Sequence, residues 1–440
     1  MAAPADPGTT GATRAPWRLE RLTRSDWKLV SSSTPTLISR VLARCGQFAF
    51  LLAAARILNV DEFAVYSYVV GLYATFSMLA DTGVPTVASR EVAAGDESTR
   101  VVFWSGVPAI GLGALVAAGT LALFGLVDSG PGSAGLLLAL TALYAAANTF
   151  FNYLSAMLRG IGRFQLEAVL QLGGMVVAVG GGIVIMVNGG SITEVIGWFA
   201  FKEVLHVGVL YFVMRHELER PARPVPALFR RLLRAGIGLA VAALSIAVAT
   251  RLPQIVLGNT GTTEELAWFS APARLADTIF NLAFIGSFAL LPGLTYLYVN
   301  DRGRAVRLVA RLVTAAAVGG AVLGAVSVML AQPIVELLFG GRFEPAADPA
   351  AVLLAGLPAY AVLGIAWHGL IAFERTRDVL PVGAVGVVVA VACSVFLVPS
   401  GGDVGAAWAY LLPVTAMSLT AGTLLARNVA RQRTQAEASP

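Results

Sequence analysis

The chain has 440 residues, 57% of them hydrophobic and only 13% charged, with a mean hydropathy of +0.75. A soluble domain carries about 25% charged and roughly 45–50% apolar residues, so a water-soluble fold is excluded and a polytopic membrane protein is expected. The net charge of +5 does not point to nucleic acid: arginines on the cytoplasmic side of a membrane protein set its topology.

The first 30 residues are polar and hold Arg14, Arg18, Arg21, Arg24 and Lys28. They lack the short apolar core and small-residue cleavage site of a secretory signal, and read as a basic cytoplasmic tail. Twelve stretches of about 20 apolar residues follow, the length a spanning helix needs. They fall near 34–57, 63–85, 101–127, 134–157, 166–188, 192–214, 235–258, 268–298, 306–331, 349–373, 379–399 and 404–427. The stretch Ala55–Gly83 shows the pattern most plainly: two apolar runs separated by a short acidic turn at Asp61 and Glu62. It reads as a helical hairpin whose corner lies in outside water. Extracytoplasmic connections are short, and Gly340–Glu344 has room for a small turn only.

Basic residues test this count. The two tails and the even-numbered connections hold 24 of the 31 lysines and arginines. The opposite connections hold Arg342, with Arg56 at a boundary. One miscounted span would swap every later loop, so both termini are expected on the cytoplasmic side. The longest basic connection carries six arginines and Pro221, Pro224 and Pro226, and divides the chain. The expected organisation is a tail at 1–30, a six-helix lobe at 31–214, a linker at 215–234, a second six-helix lobe at 235–427 and a tail at 428–440. Both lobes start inside, as parallel repeats do. Three echoes support duplication. Glu62-Phe63-Ala64-Val65-Tyr66-Ser67 matches Glu265-Leu266-Ala267-Trp268-Phe269-Ser270. Gly162-Arg163 matches Thr376-Arg377, and Asn188-Gly189-Gly190 matches Ser400-Gly401-Gly402.

Cys45 and Cys393 lie in apolar runs, and the three histidines are scattered, so neither a disulfide framework nor a metal site is expected. A charge inside a span costs roughly 2.5–3.5 kcal/mol on insertion scales and faces a bundle interior or a watery cavity. Polar residues at helical spacing therefore mark an inner face. Thr36, Arg40, Arg44 and Gln47 form such a stripe in the first span, and Asn148, Asn152, Ser155 and Arg159 in the fourth. Lys202, Glu203 and His206 stand in the sixth, Arg251 and Gln254 in the seventh, and Ser270, Arg274, Asp277 and Asn281 in the eighth.

These stripes predict a central, net cationic cavity between the lobes. Its candidate binding residues are Arg40, Arg44, Gln47, Asn148, Asn152, Lys202, Arg251, Arg274, Asp277 and Asn281. Arginine suits phosphate because its guanidinium donates two parallel hydrogen bonds. The same residues also admit a structural reading, with Arg274 paired to Asp277, Lys202 neutralised near Glu203 and Arg40 reaching the cytoplasmic surface. Asp81 is expected as a helix-end contact. No nucleophile set, phosphate-binding glycine loop or ATP motif accompanies them, so an enzyme is not expected.

Several ordered segments carry a family resemblance. They are LNVDEFAVYSYVVGLYATFSMLADTG at 58–83, LRGIGRFQLEAVLQ at 158–171, PQIVLGNTGTTEELAWFSAPARL at 253–275, PIVELLFGGRFEPAADPAAVLLAG at 333–356 and GGDVGAAWAYLL at 401–412. Together they resemble the polysaccharide flippases, of O-antigen and teichuronic-acid type, in the multidrug/oligosaccharidyl-lipid/polysaccharide exporter superfamily. The resemblance covers about residues 31–427. It implies a V-shaped cavity between two six-helix lobes and alternating access in a bacterial inner membrane. The implied substrate is an oligosaccharide on polyprenyl diphosphate, moved from the cytoplasmic to the outer leaflet for cell-surface polysaccharide. In-cavity arginines of such flippases imply diphosphate contacts for Arg40, Arg44 and Arg274. Arg251-Leu252-Pro253 stands where relatives often have an acidic residue, which removes an ion-coupling role from that position.

No cofactor is expected, and the sequence does not choose between H+ and Na+ as a coupling ion. Expected partners are the lipid-linked sugar, the bilayer, and glycosyltransferases or a polymerase of the same pathway, with no nucleic acid. Two other readings stand beside this one. A drug exporter of the same superfamily calls for acidic residues in the cavity, and a non-transporting scaffold for envelope synthesis calls for no binding site at all.

Overall fold

The computed structural model describes residues 24–437 apart from 81, 96, 129, 132–134, 219–222 and 374. The tail call at 1–30 lies mostly outside the described residues, as does Asp81. Among the described residues every regular element is helical. The first group is α1 (Arg24–Ile57), α2 (Val60–Ala80), α3 (Val84–Ala94), α4 (Thr99–Phe124), α5 (Gly135–Gly160), α6 (Phe164–Val187) and α7 (Ile192–Met214). The second is α8 (Pro226–Thr260), α9 (Thr263–Asn300), α10 (Arg302–Met329), α11 (Ala331–Phe339), α12 (Ala347–Leu354), α13 (Leu357–Ala372) and α14 (Val379–Glu437). Helices pack mainly within their own group, and α2 meets α8 and α9 across the seam.

Eight of these helices are long and apolar enough to cross a membrane, and the bent pair around residues 355–356 makes a ninth. The protein is therefore a multi-pass, all-helical membrane protein. Only helices satisfy every backbone group internally in lipid without closing a barrel. Among the described residues each of the twelve expected stretches lies mostly on helix, with α14 carrying the last two across a single non-helical residue, Gly402.

Four details depart from the expected boundaries. The second stretch ends at Ala80, and a separate helix α3 starts at Val84. Gly83 adopts φ +67°, and Pro85 opens the new helix, so the chain turns inside the expected stretch, ahead of its boundary at 85. Residues 226–234 of the expected linker are the first turns of α8. The tenth stretch is two helices, α12 and α13, bent by 41°. The connection after the ninth is larger than a turn: it holds α11 and a 3-10 helix at Gly341–Ala346.

The acidic corners are helix starts. The Asn59 backbone N–H donates to the Glu62 carboxylate at 3.1 Å, and the Glu62 N–H donates to Asn59 Oδ1 at 2.8 Å. The same reciprocal cap recurs 203 residues later: Thr262 N–H donates to Glu265 at 2.9 Å and Glu265 N–H to Thr262 Oγ1 at 3.2 Å. A third stands at Ser191 and Glu194. At the last corner burial pushes the Asp403 carboxyl pKa up, against the hydrogen bond from the Val404 N–H.

The start of α8 is clamped to the first group. Leu228 and Leu232 sit in one buried cluster with Val84, Val87, Ala88 and Leu154. Val225 N–H donates to Ser105 Oγ at 3.0 Å, and Arg231 pairs with Glu91 at 2.7 Å. At the far ends of α1 and α2 the groups meet again. Arg56 donates to the Leu337 carbonyl at 2.7 Å, Arg342 donates to the Arg56 carbonyl at 2.9 Å, and Phe63 packs edge-on against Phe343.

Gly83 packs closely against the α8 backbone at this seam. A Cβ there would meet the Gly236 carbonyl oxygen at 2.2 Å, whereas one on Gly95, also at positive φ, meets nothing within 4 Å. Gly95→Ala carries only the conformational cost of about 1–3 kcal/mol. Gly83→Ala adds a backbone clash, and its thermal unfolding midpoint in detergent is expected to fall further than that of Gly95→Ala.

Candidate functional site

The central helices α8 and α9 place three charges in one buried cluster. Arg251 and Gln254 lie three residues apart on α8 and face Ser270, Arg274 and Asp277, which share one stripe of α9. Arg251 Nη1 donates to Asp277 Oδ2 in an ion pair, and Arg274 Nη1 lies 3.8 Å from the same oxygen. The Tyr410 hydroxyl on α14 donates to Asp277 Oδ1 at 2.9 Å. Side-chain exposures of 14%, 13% and 10% for Arg251, Arg274 and Asp277 remove most bulk solvent from the group. Two guanidinium groups against one carboxylate leave a net positive site in a poorly screened place.

The cluster reaches across the seam. The Ser67 carbonyl on α2 accepts from Arg274 Nη2 at 3.0 Å and from Gln254 Nε2 at 2.9 Å. Gln254 Nε2 also lies 2.9 Å from Ser270 Oγ. Gln254 fits because position 71 is glycine, where a Cβ would stand 2.6 Å from Gln254 Oε1. Below Tyr410 lie Tyr360 and Phe280, stacked edge-on in turn, which form an aromatic wall.

A second polar group lies within the first set of helices. Lys202 pairs with Glu203 on α7, and Asn148 Nδ2 on α5 donates to Glu203 Oε1 at 3.2 Å. Asn152 Nδ2 donates to Asn148 Oδ1 at 2.9 Å. Tyr73 and Tyr144 stack face to face beside it, with centroids 3.9 Å apart. Arg44 donates to Gln47 at 3.0 Å one turn along α1, and both are exposed.

The ten expected residues thus do not form one set. Arg251, Arg274 and Asp277 come together, and Asn148, Asn152 and Lys202 form the second group. Asn281 bonds the Asp277 backbone carbonyl of its own helix at 2.7 Å. The side chain of Arg40 lies outside the described residues. The expected Arg274–Asp277 pairing is secondary, because Arg251 from the neighbouring helix holds the carboxylate directly. Sequence reasoning missed Tyr410 and the Ser67 carbonyl. Tyr410 sits in an apolar run with no polar period, and a backbone acceptor carries no residue signal. His206 packs on the Phe151 ring at 4.3 Å and His368 bonds Ser287 at 2.9 Å. Among the described residues no group of three or more metal-ligating side chains forms.

The model of the polysaccharide biosynthesis protein family matches residues 29–297. The chain belongs to that family. No curated protein matches it. The fold is that of solved membrane transporters. An inward-facing multidrug resistance MATE family transporter of the MOP superfamily superposes with a TM-score of 0.68 at 14% identity, covering 94% of this chain and 99% of that one. The lipid II flippase MurJ in an inward closed conformation gives 0.65 at 14%, covering 90% and 86%. A MOP superfamily transporter from Pyrococcus furiosus, described by the reverse polarity of its binding pocket, gives 0.62 at 13%, covering 91% and 96%. At these identities the likeness establishes the fold. For this family member, the position of Asp277 dictates a stability test. Asp277→Asn leaves two buried guanidinium groups without a counter-ion, a loss of about 3–5 kcal/mol. Tyr410→Phe removes one hydrogen bond and costs about 1–3 kcal/mol. Thermal unfolding in detergent is expected to rank wild type above Tyr410→Phe above Asp277→Asn.

Proposed function

We propose that this protein moves an oligosaccharide on a polyprenyl diphosphate from the cytoplasmic to the outer leaflet of the inner membrane, by alternating access between two six-helix lobes. The observation that carries the reading is the net positive Arg251–Asp277–Arg274 cluster, buried where α2, α8, α9 and α14 converge. A diphosphate bridging a lipid and a sugar brings two negative charges, one on each phosphorus, into a bilayer interior, where little water solvates them. Fixed guanidinium groups replace that solvation with charge-assisted, bidentate hydrogen bonds. The family and the fold of MurJ, a lipid II flippase, support the same substrate class. In this reading the protein crosses the membrane twelve times with both termini in the cytoplasm. It makes and breaks no covalent bond, and receives its substrate from glycosyltransferases.

The second group suits the sugar. Its exposed Asn152 amide, the Asn148 amide and the stacked Tyr73–Tyr144 pair offer hydrogen bonds and flat apolar rings to a carbohydrate. Export of cationic drugs, which the MATE likeness brings to mind, fits less well: a cluster of two arginines around one carboxylate repels a cation. No coupling ion enters this reading.

Reconstitution in liposomes with a fluorescent short-chain prenyl diphosphate sugar tests it. Wild type is expected to make the outer-leaflet label accessible to a membrane-impermeant quencher. Arg251→Gln and Arg274→Gln are each expected to lower the rate at least tenfold. Equal rates for wild type, both variants and empty liposomes contradict the reading.

A further inference from the structure

The Ser67 carbonyl is over-subscribed. It is an α2 backbone acceptor with two lone pairs, and it receives Gln254 Nε2 at 2.9 Å and Arg274 Nη2 at 3.0 Å. In a continuous α-helix the N–H four residues on, that of Gly71, claims the same oxygen. Three donors therefore share one neutral acceptor. Two of them come from helices of the opposite group, so this is a bond across the seam. It lies seven residues from the start of α2, or about 10 Å down the helix.

Arg274 is the donor with capacity to spare. A guanidinium carries five N–H donors. Asp277 is engaged first by Arg251 and by Tyr410, and stands 3.8 Å from Arg274, outside hydrogen-bond range. A neutral carbonyl is a much weaker partner for a guanidinium than a phosphate dianion. The other cross-seam contacts differ in acceptor or in burial. Tyr68 and Asn259 donate at 2.5 and 2.9 Å to Asp128 Oδ1, so there the acceptor is a carboxylate and the donors are neutral. The Arg56 and Arg342 bonds lie on the exposed rim of the molecule.

We infer that Arg274 is a ligand-released latch between the two helix groups. With the site empty it ties α9 to the Ser67 carbonyl of α2. A lipid diphosphate entering the site takes the guanidinium, frees α2, and so converts binding into separation of the outer ends of the helices. The inference rests on the proposed transport reading for its trigger, while the latch itself is a property of the empty protein. A buried Ser67 hydroxyl without a partner lies at the same junction, so a polar group stands unpaired where the helices would part.

The test uses the full chain in nanodiscs, with Cys45 and Cys393 replaced by serine and spin labels at Asn188→Cys and Ser400→Cys. Both label positions are exposed and stand at equivalent corners of the two groups. Pulsed electron resonance reads the distance between them, and calorimetry reads binding of farnesyl diphosphate. Ligand-free wild type is expected in the shorter-distance population, and farnesyl diphosphate is expected to raise the longer one roughly tenfold, equivalent to ~1.4 kcal/mol. Arg274→Gln is expected to show the longer population without ligand and no further response to it. Gln254→Leu keeps every charge, removes the companion bond to Ser67, and is expected to shift in the same direction. It decides the matter if Arg274→Gln fails to fold. Variants with the ligand-free wild-type distribution overturn the latch. A wild type that binds farnesyl diphosphate without changing distance overturns the release alone. A wild type that binds none overturns the transport reading, and its trigger with it, while the variants still judge the latch.

Discussion

The organising constraint is a charge imbalance inside a membrane: two guanidinium groups, one carboxylate and little water. Arg251 and Arg274 would each be costly in lipid alone. Asp277 makes Arg251 tolerable, and Tyr410 fills the carboxylate's second oxygen. Arg274 is left with a backbone carbonyl of another helix as its hydrogen-bond acceptor. That arrangement binds α2, α8, α9 and α14 into one junction, and it leaves a net positive charge there. In the proposed reading, stability and anion affinity therefore come from the same atoms. A fully neutralised cluster would hold the helices as well and attract a phosphate far less.

The surrounding fold places this junction on rigid elements. The reciprocal caps at Asn59–Glu62 and Thr262–Glu265 start α2 and α9 alike. Ser67 and Ser270 then fall eight residues after their respective caps, and both touch Gln254. The correspondingly capped helices α2 and α9 thus bring matching turns to one point. The first turns of α8 stay with the opposite group through Leu228, Leu232 and the Arg231–Glu91 pair. The helix is a continuous connection from one group to the other. Pro253, about two turns beyond the middle of the apolar part of α8, removes a backbone hydrogen bond close to Arg251 and marks where that rod bends most easily.

Much of this was legible in the residues. Hydropathy placed helix under every expected span, and spacing put Ser270, Arg274 and Asp277 on one face. The 203-residue echo of Glu62 in Glu265 proved to be a shared capping device. What remained hidden has physical causes. The turn at Gly83 depends on a positive φ and a contact with Gly236, distant in sequence, so Asp81 hinted at a helix end but not at a new helix starting at Val84. The helix α11 is too short to register as a span, and α8 absorbs half of a proline-rich linker because Pro226 suits a first helical turn. Polar residues on separate helices looked like one lining, yet Lys202 turns to its neighbour Glu203 and Arg251 to Asp277. Periodicity reports which face a residue occupies and is silent on which helix that face meets.

The account stands on the claim that the buried arginine cluster recognises a lipid-borne diphosphate. Calorimetric titration of the nanodisc-embedded protein with farnesyl diphosphate, farnesyl phosphate and farnesol addresses it most directly, since only the anionic charge differs along the series. The account predicts affinity falling from diphosphate to monophosphate to alcohol, and loss of that gradient in the Arg251→Gln, Arg274→Gln double variant. Equal affinity for the three lipids in the wild type, or a gradient unchanged in the double variant, would contradict it.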